Sequence, residues 1–223
     1  MYLIFIKYHN LRGEKMKKDL SVCLEIQEPR QSIIYIIVKR MIDIIMSICG
    51  IIVLSPIYIV TAMAIKLESK GPIIFKQRRV GKNSKVFYIY KFRSMMVNTP
   101  NLSTAEFKNA SDFTTKVGKF IRKTSIDELP QLFNILKGDM SIVGPRPVIE
   151  KETDLLELRQ VYKVDTILPG VTGWAQVNGR DNVDVENKVK YDYEYLLRQG
   201  ILFDFYIIIK TVKKVLSSDG IID

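Results

Sequence analysis

The chain of 223 residues is long enough for one compact domain and a small additional element. Its formal net charge of +10 predicts an anionic partner: a nucleic acid, a nucleotide or an acidic membrane surface. Two cysteines exclude a disulfide framework and fit a reducing cytoplasm, and a single histidine argues against a zinc site or a Ser-His-Asp triad. Any chemistry is therefore expected to rest on carboxylates and basic groups.

A long apolar stretch, residues 44–65, is the first candidate element along the chain. It has no charged side chain over about 22 residues, which is enough to cross a bilayer core of roughly 30 Å. Basic residues flank it on both sides: Lys39, Arg40, Lys66 and Lys70. Because positively charged flanks are retained on the cytoplasmic side of a membrane, both ends are predicted to lie in the cytoplasm.

The sequence Ser55-Pro56 interrupts this stretch in its middle. Proline removes one backbone donor and kinks a helix, and a serine hydroxyl can bond to a freed carbonyl. Each half would then have about 11 residues and a length of roughly 16 Å, enough to enter one leaflet and return. The pattern favours a re-entrant helix–break–helix. A kinked full span and a buried helix of a soluble protein are the alternatives.

Residues 72–95 carry the pattern of a β-hairpin. Aromatic and β-branched side chains dominate both arms, and the sequence GKNS supplies turn residues between them. The period of two along the second arm puts Lys91 and Arg93 on one face. Together with Arg78 and Arg79 they are expected to form a cationic wall, with solvated charge on an exposed strand as the alternative. No recognisable nucleic-acid-binding module accompanies the hairpin.

Two adjacent carboxylates, Asp127 and Glu128, follow in the sequence SIDELPQLFNILKG. The spacing from Ser125 to Glu128 is typical of a capping box at a helix start. Pro130 suits the first helical turn, and Gly138 fits a C-terminal cap. This pattern alone could explain the two acids as structural residues.

Arg146 lies between two prolines in the sequence GPRP. The prolines restrict the backbone, and the planar guanidinium group suits phosphate recognition. A guanidinium on a rigid turn is expected to be a better phosphate clamp than one on a flexible loop.

The segment of residues 167–180 contains three glycines without the spacing of a phosphate-binding loop. Its tryptophan, Trp174, fits either an interfacial anchor or a core aromatic. Downstream, apolar residues recur at helical spacing beside a basic rim, which favours a helix that lies in a membrane interface over one packed on a soluble core. The apolar stripe comprises Ile201, Phe205, Ile208, Val212 and Val215, and the rim comprises Lys210, Lys213 and Lys214.

Six motifs occur in this order: KRMIDI, LSPI, FKQRRVG, YKFRSM, SIDELPQLFNILKGDMSIVGPRP and PGVTGWAQVNGR. Together they make the chain resemble the bacterial polyprenyl-phosphate sugar-1-phosphate transferases of the monotopic class. The resemblance extends from Ile34 to about residue 218. The basic N-terminal extension is where the chain departs from the smallest members of that family.

The resemblance implies an enzyme that transfers a sugar 1-phosphate from a UDP-sugar to undecaprenyl (polyprenyl) phosphate and releases UMP. This would be the first membrane step of capsule, exopolysaccharide or other glycan assembly in bacteria. It implies a catalytic dyad of Asp127 and Glu128, Mg²⁺ held by Asp127, and a covalent phosphosugar on that aspartate. The role of Glu128 and the identity of the sugar stay open.

Phosphate binding is expected from cations in or just before these motifs: Lys91, Arg122, Arg146 and Arg93. A carboxylate that attacks a diphosphate meets charge repulsion, which a metal and arginines would reduce. A helix N-terminus near Asp127 would help to keep it ionised. Ser55 and Pro56 are assigned to the membrane helix break and not to chemistry.

The expected fold is α+β and mostly α: a basic N-terminal extension (residues 1–32), a re-entrant membrane helix (33–66) and a membrane-associated catalytic domain (67–223). That domain would carry a β-hairpin and interfacial amphipathic helices at the cytoplasmic face of the bacterial inner membrane. The expected partners are the UDP-sugar, polyprenyl phosphate and the membrane, with no nucleic acid and with a homodimer left open. A hydrolase of lipid or nucleotide diphosphates and a non-catalytic basic binding module are the competing functions.

Overall fold

The computed structural model describes residues 32–97, 99, 113–179 and 184–216, so the predicted extension over residues 1–31 lies outside the described residues. The described part is mostly helical with two small sheets, which confirms the α+β class. Its helices are α1 (Ile33–Val53), α2 (Ser55–Glu68), α3 (Lys116–Lys123), α4 (Gln131–Lys137), α5 (Thr153–Val161), α6 (Trp174–Asn178), α7 (Val185–Arg198) and α8 (Ile201–Leu216). Its strands are β1 (Ile74–Val80), β2 (Val86–Phe92), β3 (Ser141–Val143) and β4 (Gly170–Thr172).

The predicted helix break is confirmed, and it falls at Leu54. Ser55 and Pro56 open α2, where the missing proline N–H needs no partner. Helices α1 and α2 are bent by 61°. Among the described residues, no single helix is long and apolar enough to cross a bilayer, whereas this bent pair passes the test of length and composition together.

Both arms of the bent pair are longer than the sequence pattern predicts. Helix α1 has 21 residues and α2 has 14, so they extend over roughly 31 and 21 Å. The apolar stretch underestimates the length of α1, because the helix begins at Ile33, eleven residues before the stretch, and includes charged residues. Three of these charged side chains attach α1 to other elements. Lys39 pairs with Asp204 at 2.7 Å, Arg40 donates to the last carbonyls of α4, and Asp43 accepts from the Ile142 N–H at 3.0 Å.

The predicted hairpin is also confirmed: β1 and β2 pair antiparallel, with a short 3₁₀ turn at Lys82–Ser84 between them. Their register places Arg79 opposite Phe87 and Phe75 opposite Lys91. Directly paired residues share a face, and Phe87 and Lys91 lie on the same face of β2 because they are four residues apart. Arg79 therefore lies on the same face as Lys91. Arg78 lies on the opposite face, and the cationic wall is therefore narrower than expected.

Strands β3 and β4 form a short parallel pair, with Ser141 opposite Gly170 and Val143 opposite Thr172. A β-carbon on Gly170 would lie 2.1 Å from the backbone nitrogen of Gly144, so only glycine allows this close approach. The described part of the glycine-rich segment, residues 167–179, thus contains β4 and the whole of α6.

Trp174, the first residue of α6, is a core aromatic and not an exposed anchor. It is buried, and its ring packs against Phe203 of α8 with the ring centroids 5.1 Å apart. Its indole N–H donates to Glu194 at 2.7 Å, which satisfies the polar end of the side chain.

Helix α8 packs on the domain through Asp204 and Ile207, which are buried and lie outside the predicted stripe. Phe205 and Val212 of that stripe are exposed, whereas Ile201 and Ile208 are half-buried. The exposed apolar side chains of α8 are Leu202, Phe205, Tyr206, Ile209 and Val212.

One cluster of buried side chains lies directly beneath the adjacent acids. Ile65, Phe92 and Ile121 join α2, β2 and α3, and each is about 2% exposed. Ile126 and Leu129, on either side of the two acids, pack against this cluster. Burial of such side chains is worth about 1.5–3 kcal/mol each and fixes the short segment that carries the carboxylates.

Candidate active site

Asp127 and Glu128 lie in a 3₁₀ turn, Ile126–Glu128, between α3 and α4. The predicted capping box is wrong. Ser125 adopts a left-handed conformation with φ of 56°, and its side chain makes no capping hydrogen bond. The carboxylate of Glu128 instead contacts cations from other elements. The predicted C-terminal cap is confirmed, because Gly138 ends α4 with φ of 91°.

Asp127 is the more buried of the two acids, with 8% of its surface exposed. Burial raises its pKa to about 6, because a carboxylate loses hydration when it leaves water. Lys91, Arg122 and Arg146 oppose this rise, and the neighbouring Glu128 adds to it. Three of the predicted cations therefore act on the electrostatics of this one carboxylate.

Glu128 joins two of those cations. Its Oε1 lies 2.6 Å from Lys91 Nζ and 3.9 Å from Arg146 Nη1. Lys91 is on β2, and Arg146 is on the loop that follows β3. Elements far apart in the sequence thus converge on the dyad.

Asn134 of α4 fixes the distance between the dyad and strand β2. Its side chain is fully buried, accepts from the Tyr90 N–H at 2.9 Å and donates to the Tyr88 carbonyl at 2.7 Å. Because α4 starts just after the dyad, these two bonds hold Lys91 and the carboxylates in register.

Arg122 lies in the last turn of α3, five residues before Asp127, and its guanidinium contacts Thr114 Oγ1 at 3.5 Å. That contact is long for a hydrogen bond. The main effect of Arg122 on the dyad is electrostatic: it lowers the pKa of Asp127.

Arg93 is placed differently from the other predicted phosphate-binding cations. It is 5% exposed, and its guanidinium donates to the carbonyls of Lys70 and Ser69 at 3.0 and 2.7 Å and to the Ser69 hydroxyl at 2.8 Å. A β-carbon on Gly71 would lie 2.0 Å from Arg93 Nη1, so the guanidinium packs tightly on this turn. These contacts assign Arg93 to the end of α2, and they do not support its predicted role as a phosphate ligand.

Arg79, predicted as part of the cationic wall but not as a phosphate-binding residue, is also a residue of the site. Burial and the charge of Arg146 together lower its pKa to about 10, against the opposite effects of Glu152 and Glu128. The effect of Glu128 places Arg79 within the field of the dyad. Its Nη1 donates to the Pro147 carbonyl at 3.3 Å. The signal in the sequence is its strand position, because Arg79 shares a face with Lys91.

The carboxylates of the dyad are the candidate ligands for a magnesium ion. The described residues contain no group of three or more potential metal ligands among His, Cys, Asp and Glu. Proteins usually hold Mg²⁺ through one or two carboxylates together with water and substrate phosphates. Asp127 fits such a site better than Glu128, whose oxygen is paired with Lys91.

The site combines a carboxylate dyad, in which Asp127 is buried, with cations from several elements. It lies on a small α+β domain beside a bent apolar helix pair, and it defines a class of site that handles anionic groups next to an apolar surface. The chain belongs to the bacterial sugar transferase family, whose family model matches residues 34–218. This confirms the family that the ordered motifs predict.

Several named proteins are about 40% identical in sequence to this chain over the aligned residues. It is 42% identical over 193 residues to UDP-N-acetylgalactosamine-undecaprenyl-phosphate N-acetylgalactosaminephosphotransferase of Aeromonas hydrophila, over 84% of this chain and 45% of that protein. It is 40% identical over 185 residues to UDP-glucose:undecaprenyl-phosphate glucose-1-phosphate transferase of Escherichia coli (strain K12), over 80% of this chain and 40% of that protein. The chain thus spans less than half the length of these two relatives.

A shorter relative matches along most of both chains. The uncharacterized sugar transferase EpsL of Bacillus subtilis (strain 168) is 40% identical over 188 residues, over 83% of this chain and 90% of that protein.

Proposed function

We propose that this protein transfers a sugar 1-phosphate from a UDP-sugar to undecaprenyl phosphate and releases UMP. The observation that carries the proposal is the buried Asp127, which adjoins Glu128 and lies within the field of Lys91, Arg122 and Arg146. The relatives of A. hydrophila and E. coli, whose names state this acceptor and this donor class, support it.

The proposed reaction has two steps at one phosphorus atom. A carboxylate oxygen of Asp127 attacks the phosphorus that bears the sugar, and a new oxygen–phosphorus bond forms. The bond from that phosphorus to the bridging oxygen breaks, and its electron pair leaves with UMP. A phosphate oxygen of the lipid then attacks the same phosphorus and expels the carboxylate, which yields the lipid diphosphate sugar and free Asp127.

Two steps suit the two substrates, because a water-soluble donor and a lipid acceptor need not occupy the site together. The cations reduce the repulsion between the Asp127 carboxylate and the phosphates, and Arg146 can present two donors to one phosphate. Asp127 is the residue that would hold Mg²⁺, which when bound neutralises phosphate charge. Glu128 keeps Lys91 and Arg146 next to the nucleophile.

We also propose that the bent pair α1–α2 enters the cytoplasmic leaflet of the membrane and returns. The contacts of Lys39, Arg40 and Asp43 with the domain fix the base of α1. Residues 44–53 continue α1 for roughly 15 Å, about half of a 30 Å hydrocarbon core. One side of this arm stays on the protein, because Ser47 is buried and Gly50 lies against Leu132. Insertion into the leaflet would cover the exposed apolar side chains of this arm with lipid. These are Ile45, Met46, Ile48, Ile52 and Val53.

The dyad lies next to this proposed membrane arm. Tyr58 of α2 donates to the carbonyl of Leu129 at 2.6 Å, directly after the dyad. A β-carbon on Gly50 of α1 would lie 3.0 Å from the side chain of Leu132 in α4, so α1 and α4 are in close contact. A lipid phosphate at the membrane surface would therefore lie near Asp127.

A donor screen tests the proposal. The purified protein receives a short-chain polyprenyl phosphate, Mg²⁺ and one of UDP-N-acetylgalactosamine, UDP-N-acetylglucosamine, UDP-glucose or UDP-galactose. We expect lipid-dependent UMP release with at least one donor and a loss of about 10³-fold or more in Asp127→Asn. Asp154→Asn, at an exposed aspartate on α5, is the matched control and should retain activity.

Omission of the lipid tests the covalent step. Wild-type protein should then release about one equivalent of UMP per site and keep the phosphosugar on the peptide that contains Asp127. Mass spectrometry after rapid quenching detects the adduct. Continuous UMP release without lipid would instead indicate a hydrolase, and no release with any donor would refute the proposed function.

A further inference from the structure

The loop that carries Arg146 is held by a buried ion pair from two helices outside the dyad. Arg159 of α5 and Asp192 of α7 are 8% and 1% exposed. Arg159 Nε and Nη2 both donate to Asp192 Oδ2, at 3.0 and 2.7 Å. The remaining nitrogen, Nη1, donates to the backbone carbonyl of Arg146 at 2.8 Å. The ion pair therefore holds the backbone of Arg146, whose side chain lies 3.9 Å from Glu128.

The neighbouring carbonyls of this loop are held as well. The Gly170 N–H donates to the Pro145 carbonyl at 2.9 Å, and Arg79 Nη1 donates to the Pro147 carbonyl at 3.3 Å. Three consecutive carbonyls thus accept bonds from three different parts of the chain. Pro145 and Pro147 have no N–H, so carbonyls are the main backbone groups by which this loop can be fixed.

Stability alone is a weak reason for such a pair. Two buried charges lose their hydration, and an apolar pair of similar volume is often as stable. What an apolar pair lacks is a donor in a fixed direction. Asp192 binds two nitrogens of Arg159 and thereby orients the third toward the loop, while the side chain of Arg146 stays 43% exposed and free to meet a ligand.

We propose that Arg159 and Asp192 are positioning residues for donor cleavage: they fix the backbone at Arg146 so that its guanidinium meets the donor phosphate. The inference rests on the proposed function of Arg146. Arg159 and Asp192 act only through the loop, and neither one touches the substrate.

The double variant Arg159→Met/Asp192→Leu tests this, since it removes both charges together and leaves no lone buried charge. It should retain the fold, and it lacks the donor to the Arg146 carbonyl. With the best donor of the screen, single-turnover UMP formation should slow by about 10- to 100-fold, because small displacements of a positioning group have effects of that size. The same change in an Arg146→Ala background should slow the reaction by less than about twofold, because the effect acts through Arg146.

Hydrogen exchange of the peptide that spans residues 141–149 provides a second readout, independent of catalysis. The double variant should exchange faster at Arg146 and Val148 than wild type does. Gln160→Ala, at the exposed neighbour of Arg159 on α5, is the matched control and should change neither readout. If the double variant does not fold, Asp192→Asn retains an acceptor for Arg159 and should show the same two effects at smaller size.

The outcomes separate the two proposals. Unchanged exchange and rate in a folded variant would overturn the positioning role, as would an equal loss of rate with and without Arg146. If wild type releases no UMP from any donor, the proposed function fails, and the exchange comparison alone decides whether the pair orders the loop.

Discussion

At the scale of single residues, the site depends on the opposed influences on Asp127. Burial raises the pKa of this carboxyl to about 6, and the cations limit the rise. A carboxylate with a raised pKa is more basic and therefore a better nucleophile, provided that it is ionised at the working pH. A pKa near 6 meets both conditions at neutral pH.

The first prediction concerns the pH dependence of donor cleavage. Only ionised Asp127 attacks, so kcat/KM for UMP release should rise with pH and level off above a midpoint of about 6. Lys91 is the strongest of the cations that lower this pKa, after the larger, opposite effect of burial. Lys91→Met should therefore shift the midpoint to higher pH as well as reduce the plateau.

Lys137→Met is the matched control for that measurement. Lys137 is an exposed lysine at the end of α4, and its ammonium lies over the ring of Tyr90, 4.5 Å from the centroid. Its loss should leave the midpoint in place. A midpoint that stays the same in Lys91→Met would show that Asp127 is not the group that titrates.

At the scale of elements, the two arginines Arg93 and Arg146 have separate tasks. Arg93→Met should lower the free energy of unfolding by about 2–3 kcal/mol, because its charged hydrogen bonds to the end of α2 are lost. The kcat of the protein that remains folded should change by less than about threefold, because Arg93 acts on the helix end and not on the reaction. Arg146→Lys should show the reverse: a severe loss of transfer with a normal melting temperature.

Denaturation in urea and donor turnover, measured on the same preparations, separate these two effects. A folded and stable Arg93→Met protein with almost no turnover would restore Arg93 to the site. Near-normal turnover of a folded Arg146→Ala protein would remove Arg146 from it.

The elements also show which features a sequence pattern can predict. The hairpin and the helix break depend on residues close together in the chain, such as the turn GKNS and Pro56, and both were predicted. The partners of Arg40 and Arg159 could not be predicted in this way. Arg40 contacts α4 about 95 residues away, and Asp192 lies 33 residues beyond Arg159. Strand alternation gives the face of a side chain but not which tertiary element will cover it.

At the scale of the whole molecule, the exposed apolar surface is concentrated on three helices. Several of the most exposed large apolar side chains are Ile33 and Ile34 of α1, Leu67 of α2 and Leu202 of α8, each between 73% and 88% exposed. Exposed apolar patches of this kind usually mark an interaction surface. Composition and motifs predicted that such a surface exists. Its extent could not be predicted, because it depends on the orientation of α8, which packs on the domain through Asp204 and Ile207.

The last prediction concerns the topology of α1 and α2 in a membrane. Single cysteines replace Ser32 and Lys70, which are exposed at the two ends of the pair, in a chain without Cys23 and Cys49. If the pair enters one leaflet and returns, a membrane-impermeant thiol reagent should label both positions only from the cytoplasmic side. Leu54→Cys, at the break, is expected to lie in hydrocarbon and to react from neither side. Labelling of positions 32 and 70 from opposite sides would show a full span and refute the re-entrant arrangement. Pro56→Leu should favour that opposite labelling, because it removes the residue that breaks the helix.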